Sequence, residues 1–160
     1  MHSIADLMAR HARTGQIDWI GLRPARRAPM VPVSAAAVTE AGLEGDRARA
    51  GKRALTLIQA EHLPVIATLI DRPVQPDLLR RNLVISGLNL YALRGQHIQL
   101  GAAEIKTTGP CAPCSRMEEA LGKGGYTAMR GHSGWCARII TPGAVALGDP
   151  VLAQTLQDGQ

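Results

Sequence analysis

The chain has 160 residues, 46% of them apolar, and a formal net charge of +5. That length and apolar share exclude a disordered tail and suit one domain over residues 1–160 with a core of its own. There is no Phe, and only Trp19, Trp135, Tyr91 and Tyr126 supply aromatic rings, so the core must be aliphatic and single-stranded nucleic acid has no stacking platform.

In chain order, Ser3 to His11 places Ile4, Leu7, Met8 and His11 at helical spacing, with Gly15 as a stop. From Gln16 to Val38 short apolar pieces are broken by Arg23-Pro24, Ala28-Pro29 and Pro32, which predicts strands joined by turns, with Val31, Val33 and residues 35–38 as strand material. A loop over residues 42–51 precedes a buried strand at 54–58. A helix at 60–70 follows, with Leu63, Ile66, Ala67 and Ile70 inward and Pro64 tolerable in its first turn. Residues 82–86, 97–100, 102–107 and 135–140 are further short strands, and 148–152 allows a last one. Many short strands with three short helices predict a mainly β fold, a closed or partly closed barrel.

The stretch Thr107-Thr108-Gly109-Pro110-Cys111-Ala112-Pro113-Cys114-Ser115-Arg116-Met117-Glu118 carries two thiols. Ser115 and Glu118 have the spacing of a capping box, so a helix is expected to begin at Ser115 with Cys114 just outside its positive end, where a thiolate is favoured. Such a sulfur can attack, carry sulfane sulfur or bind metal. Three chemistries compete. Cys111, Cys114, His132 and Cys136 have spacings that suit a structural zinc site. The Cys-x-x-Cys pair also suits thiol–disulfide exchange, although no βαβ pattern accompanies it. The third is capture of an anionic cofactor beside a sulfur ligand. Basic and glycine-containing segments around Gly45-Asp46-Arg47, Arg49, Lys52 and Arg53, around Arg80-Arg81-Asn82 and at Arg138 could hold phosphate.

An odd cysteine number with two so close together argues against a secreted disulfide framework. Residues 1–15 carry Asp6 and lack the apolar core of a secretory signal, and no run of about 18 apolar residues occurs. A cytoplasmic protein without membrane or nucleic-acid partners is therefore expected.

Taken in order, Gly42-Leu43-Glu44-Gly45-Asp46-Arg47, residues 54–61, Arg80-Arg81-Asn82-Leu83-Val84-Ile85-Ser86-Gly87, the segment from Gly109 to Glu118 and Ala146-Leu147-Gly148-Asp149 resemble the MOSC family, named for the C-terminal domain of molybdenum cofactor sulfurases. The resemblance covers roughly residues 31–152, leaving an N-terminal helix and strand as an extension. It implies a β-barrel-type domain that binds molybdenum cofactor (molybdopterin), with Cys114 as the matching cysteine that ligates molybdenum or carries sulfur. Cys111 adds a second thiol for a persulfide or disulfide relay. Gly45, Asp46, Arg47, Arg81, Asn82 and Arg138 match positions expected to shape the pocket and hold the pterin or phosphate. Pyridoxal phosphate is not expected in this chain, whose electrons or sulfur would come from a separate donor protein. The expected activity is reduction of small N-hydroxylated compounds, with sulfur-carrier work as the alternative and a non-enzymatic zinc module as another.

Overall fold

A computed structural model describes residues 1–154. The elements run α1 (Ile4–Met8), β1 (Gly15–Leu22), β2 (Val31–Val33), β3 (Ala35–Thr39), β4 (Gly42–Leu43), β5 (Leu55–Gln59), α2 (His62–Ile70), α3 (Pro76–Leu79) and β6 (Leu83–Ser86). A 3-10 turn (Leu90–Leu93) leads to β7 (His97–Leu100), β8 (Ala103–Pro110), α4 (Ser115–Leu121), α5 (Gly125–Met129), β9 (Trp135–Thr141), β10 (Gly143–Ala146) and β11 (Pro150–Ala153). The mainly β expectation holds, with five short helices among the described residues rather than three.

Seven strands close into a barrel in the order β11-β7-β8-β9-β5-β6-β1, and β1 pairs back onto β11 through Gly15 and Gln16. Closure removes the exposed edges that an open sheet would present. β1 is therefore a stave of the barrel. It also carries β2 at its far end, while β10-β3-β4 form a small second sheet.

Alternation along the staves divides the apolar residues between two cores. Leu55, Leu57, Leu83 and Ile85 point into the barrel with Ile98, Ile105 and Ala137, where Val38, Leu43 and Val145 of the small sheet join them. Ile58 and Val84 point outward and pack with Ile66, Leu79, Met117, Leu121 and Met129 of the helices. Strands β5 and β6 are thus buried on both faces. They are the parallel pair, joined by the α2–α3 crossover that supplies the outer cover. Truncating one of these fully buried leucines to Ala typically costs about 2–5 kcal/mol.

Helix α1 has no buried residue, and Ile4, Leu7 and Met8 remain exposed, so its apolar face is not part of either core. Its start is fixed by a capping box between Ser3 and Asp6.

Candidate functional site

The chemistry-bearing residues converge on a cavity of about 770 Å³ on the outer face of the barrel wall. Thr56 of β5 and Cys136 of β9 are paired in register, and the alternation that sends Leu57 and Ala137 inward sends both of these outward. Two more walls complete the cavity: the Cys111–Cys114 loop that follows β8, and the loop that carries Arg47, Arg49 and Arg53. The Thr108 hydroxyl donates to the Lys52 carbonyl and fastens these two walls together.

The thiol wall is built by the end of the β8–β9 ladder. Gly109 lies opposite Cys136, and the Cys111 N–H donates to the Gly134 carbonyl at 2.8 Å. Gly134 has φ +89°, and a Cβ there would lie 2.0 Å from the Leu57 carbonyl oxygen, so glycine is required where this turn presses on β5. All three cysteines line the cavity: Cys111 is partly buried, Cys114 exposed and Cys136 buried.

Helix α4 begins at Ser115 with Cys114 just outside, as expected, but the capping box does not form. Cys114 is itself the N-cap, and its carbonyl accepts from the Met117 N–H at 2.9 Å. With Ser115 already helical, Glu118 lies one position past N3, too late to reach back to the cap. Its carboxylate instead accepts from the backbone N–H groups of Gly124 and Tyr126, at the start of α5.

The arginine wall rests on a buried polar knot. The Asp46 carboxylate, which has no exposed surface, accepts from the Arg23 backbone N–H at 2.6 Å and from its guanidinium at 2.9 and 3.2 Å. It also accepts from the Ala48 N–H at 3.1 Å and from the Asn82 amide at 3.2 Å. Asn82 is fully buried. Its Nδ2 also donates to the Gly21 carbonyl, and its Oδ1 accepts from the Thr56 N–H and hydroxyl and from Arg23. Burial works to raise the Asp46 pKa, but the hydrogen bonds and charge of Arg23 outweigh it and hold the carboxyl below its ordinary value. Gly45 supplies the positive φ, +87°, of the turn that delivers Asp46. Gly45, Asp46 and Asn82 are thus the frame of the cavity, and Arg47 is part of its lining.

Arg81 is buried and is not part of the cavity lining. Its guanidinium donates to the carbonyls of Ser133 (2.8 Å), Leu79 (3.0 Å) and Cys111 (3.2 Å), which makes it the tie between β6 and the thiol loop. Arg138 shares the outer face of β9 with Cys136 but is exposed and lies outside the cavity lining. Arg23 and Thr56 had no distinguishing sequence signal: one reads as a turn residue before Pro24, the other as the polar member of an apolar strand.

The zinc quartet is not assembled. Among the described residues no group of three or more His, Cys, Asp or Glu side chains is placed to hold a metal ion. His132 stacks edge-on against His62 of α2, ring centroids 5.1 Å apart, because the turn after α5 directs it to the helical layer.

The thiols differ in character. Hydrogen bonding to the neighbouring Cys136 thiol, aided by the charges of Arg81, Arg23 and Arg53 against the opposing effect of burial, lowers the Cys111 pKa to about 6. Cys136, as the other member of that pair and buried, is pushed upward. Arg47, Arg49 and Arg53 make no ion pair or side-chain hydrogen bond among the described residues. The cavity thus presents a thiol of lowered pKa and guanidinium groups that have no ion-pair partner among the described residues.

A closed barrel with a cysteine- and arginine-lined cavity on its outer wall defines the class of protein. The chain belongs to the MOSC domain family, whose model matches residues 39–152. Its fold is similar to that of the YuaD protein from Bacillus subtilis (TM-score 0.75, 19% identity, covering 87% of this chain and 94% of that one). It is also similar to YiiM from Geobacillus stearothermophilus (TM-score 0.73, 21% identity, 91% and 77%) and YiiM from Escherichia coli (TM-score 0.70, 24% identity, 88% and 70%). A comparison with curated proteins found no match. No helix among the described residues is long and apolar enough to cross a membrane.

Proposed function

We propose that the cavity binds a molybdenum cofactor, an anionic pterin dithiolene, with Cys114 as metal ligand, and that the loaded protein reduces small N-hydroxylated compounds using electrons from a separate donor protein. The carrying observation is the opposition, across one cavity, of cysteine thiols and arginines without carboxylate partners, in a chain of a family associated with molybdenum-cofactor binding. The residues fit such a group. A volume of about 770 Å³ suits a small-molecule cofactor, thiolate sulfur is a ligand type that soft metal centres accept, and guanidinium forks match phosphate. When bound, the cofactor supplies the redox chemistry. The chain's part is to hold it: Arg47, Arg49 and Arg53 neutralise its phosphate, Cys114 fixes the metal end, and the Arg23–Asp46–Asn82 knot keeps the two walls at a set separation.

A second reading is favoured by the lowered Cys111 pKa: a sulfur carrier in which a persulfide on Cys111 or Cys114 is passed onward. Incubation with a cysteine desulfurase, followed by intact mass measurement, should then add one sulfur atom, and an unchanged mass excludes it.

The deciding experiment is elemental analysis for molybdenum with oxidised-pterin fluorescence, on protein purified anaerobically from a cofactor-producing host. Molybdenum and pterin are expected together, and Cys114→Ala should lose the metal. Absence of pterin from the wild type overturns the cofactor reading, whereas full metal occupancy in Cys114→Ala overturns only the ligand assignment.

A further inference from the structure

We propose that Cys111 and Cys136 form a reversible dithiol–disulfide pair, distinct from Cys114, that hydrogen peroxide oxidises directly. The geometry comes from the ladder. Gly109 is the register partner of Cys136, and the Cys111 N–H bonds the Gly134 carbonyl, so Cys111 sits two residues along from the position facing Cys136, on the neighbouring strand's end. Both side chains line the same cavity, on the same face of the β8–β9 ladder. Cys111 is also the first residue after β8, with its N–H and carbonyl held by Gly134 and Arg81, so the sulfurs close to bonding distance by rotation of the two side chains about their Cα–Cβ bonds. Cys114 is placed differently: it is the exposed N-cap of α4, tied through its carbonyl to the helix.

The environment assigns the roles. Arg81 is a buried guanidinium whose hydrogen-bond partners among the described residues are neutral carbonyls, one of them that of Cys111 itself. A buried cation without a carboxylate favours a nearby anion, and the Cys111 thiolate is the available one. Cys111 is therefore the attacking sulfur. Its thiolate attacks one peroxide oxygen, the S–O bond forms, the O–O bond breaks, and hydroxide leaves to be protonated to water. Cys136, losing its proton, then attacks the Cys111 sulfur, the S–S bond forms, and the bound hydroxyl departs with that proton as a second water. The two thiols lose two electrons, which reduce the peroxide, and a dithiol reductant reverses the change. Oxidation removes the negative sulfur beside Arg23, Arg53 and Arg81 and bolts the loop that carries Cys114 onto β9. The pair stands whether or not the cavity takes a cofactor.

The test uses the full chain, reduced, freed of reductant, exposed to a small excess of hydrogen peroxide, alkylated and cut with trypsin. Cleavage after Lys106, Arg116, Arg130 and Arg138 places Cys111 and Cys114 in peptide 107–116 and Cys136 in peptide 131–138. The expected product is these two peptides joined, two hydrogens lighter than their sum, with Cys114 alkylated. Cys114→Ser should leave the link intact, and Cys136→Ser should leave a sulfenic acid on Cys111 that dimedone traps. A disulfide confined to peptide 107–116, or Cys136 recovered fully alkylated, overturns the proposal. Molybdenum measured on the same samples reports separately on the cofactor reading.

Discussion

Asp46 does not line the cavity, yet more of the cavity's shape passes through it than through any residue that does. Its two oxygens accept five hydrogen bonds, from the Arg23 backbone and guanidinium, the Ala48 N–H and the Asn82 amide. Those partners belong to three separate segments, and each would be left with an unmet donor if the carboxylate were lost. Removing one member of a buried, hydrogen-bonded charge pair costs about 3–5 kcal/mol, because the remaining charge is stranded rather than hydrated. Asp46→Ala should therefore lower the stability measured by urea unfolding by about that much. A loss under about 1 kcal/mol would mean that water replaces the carboxylate and that the knot is not what sets the cavity. Asn82 is the complementary case: as a neutral amide it can both donate to Asp46 and accept from Thr56 and Arg23, which neither Asp nor Leu at that position would do.

At the scale of the elements, the helical layer carries a pH dependence of its own. His62 on α2 meets His132 from the turn after α5, and the His132 Nδ1 is buried without a partner among the described residues. Burial, then the neighbouring His132, lower the His62 pKa, with Glu61 opposing. The unfolded chain, free of those effects, binds the proton more readily, so stability is full above the ordinary histidine value of about 6.5 and falls as pH drops through the folded value. Unfolding midpoints in urea between pH 8 and pH 5 should decline on the acid side, and His62→Gln should flatten that decline. An unaltered slope in the variant would assign the acid sensitivity elsewhere.

The same scale shows what was legible in the amino-acid order. β5, β6 and α2 were readable because each carries an unbroken period: Leu55 to Ile58 as a short apolar run, Leu63, Ile66 and Ile70 at helical spacing. β1 was expected as a strand in the stretch from Gln16, but which of its residues face inward was not legible, because Ile17 and Ile20 both face the barrel core although they are three apart. A register shift between Ile17 and Trp19 resets the alternation there, and no period-two reading anticipates a bulge. The small sheet was partly hidden as well, since β4 has two residues and β10 reads Gly-Ala-Val-Ala, with little to distinguish it from a loop. For the site, the cysteines, Asp46, Asn82 and Arg47 stood out as residue types, but which of them line the cavity and which hold it depends on strand face and register. That distinction separated Arg81 from Arg47, and it drew Arg23 into a knot that spans 59 positions of sequence to Asn82.

Across the whole molecule, the apolar cores and the arginines of the cavity wall are different sets of residues. The barrel interior and the helical layer are mainly aliphatic, and neither core includes the arginines that line the cavity. The excess of cations that gives the chain its +5 charge is concentrated in part at one wall, which Arg47, Arg49 and Arg53 line without acidic partners among the described residues. Like charges held together disfavour the folded state, so removing them should leave stability unchanged or slightly improved; surface changes of this kind lie within about 0.5 kcal/mol. Their effect on an anionic ligand should be large by comparison. A hydrogen bond to a charged group contributes about 1.5–3 kcal/mol, and about 1.4 kcal/mol is tenfold in affinity. Arg49→Ser with Arg53→Ser should then weaken binding of the pterin cofactor by about 100-fold or more while the thermal midpoint stays put. The wild type's affinity should also fall more steeply with added salt than the double variant's, because part of its attraction is screened charge. A parallel loss of affinity and thermal stability would make these arginines part of the fold, and unchanged affinity at low salt would move the phosphate away from this wall.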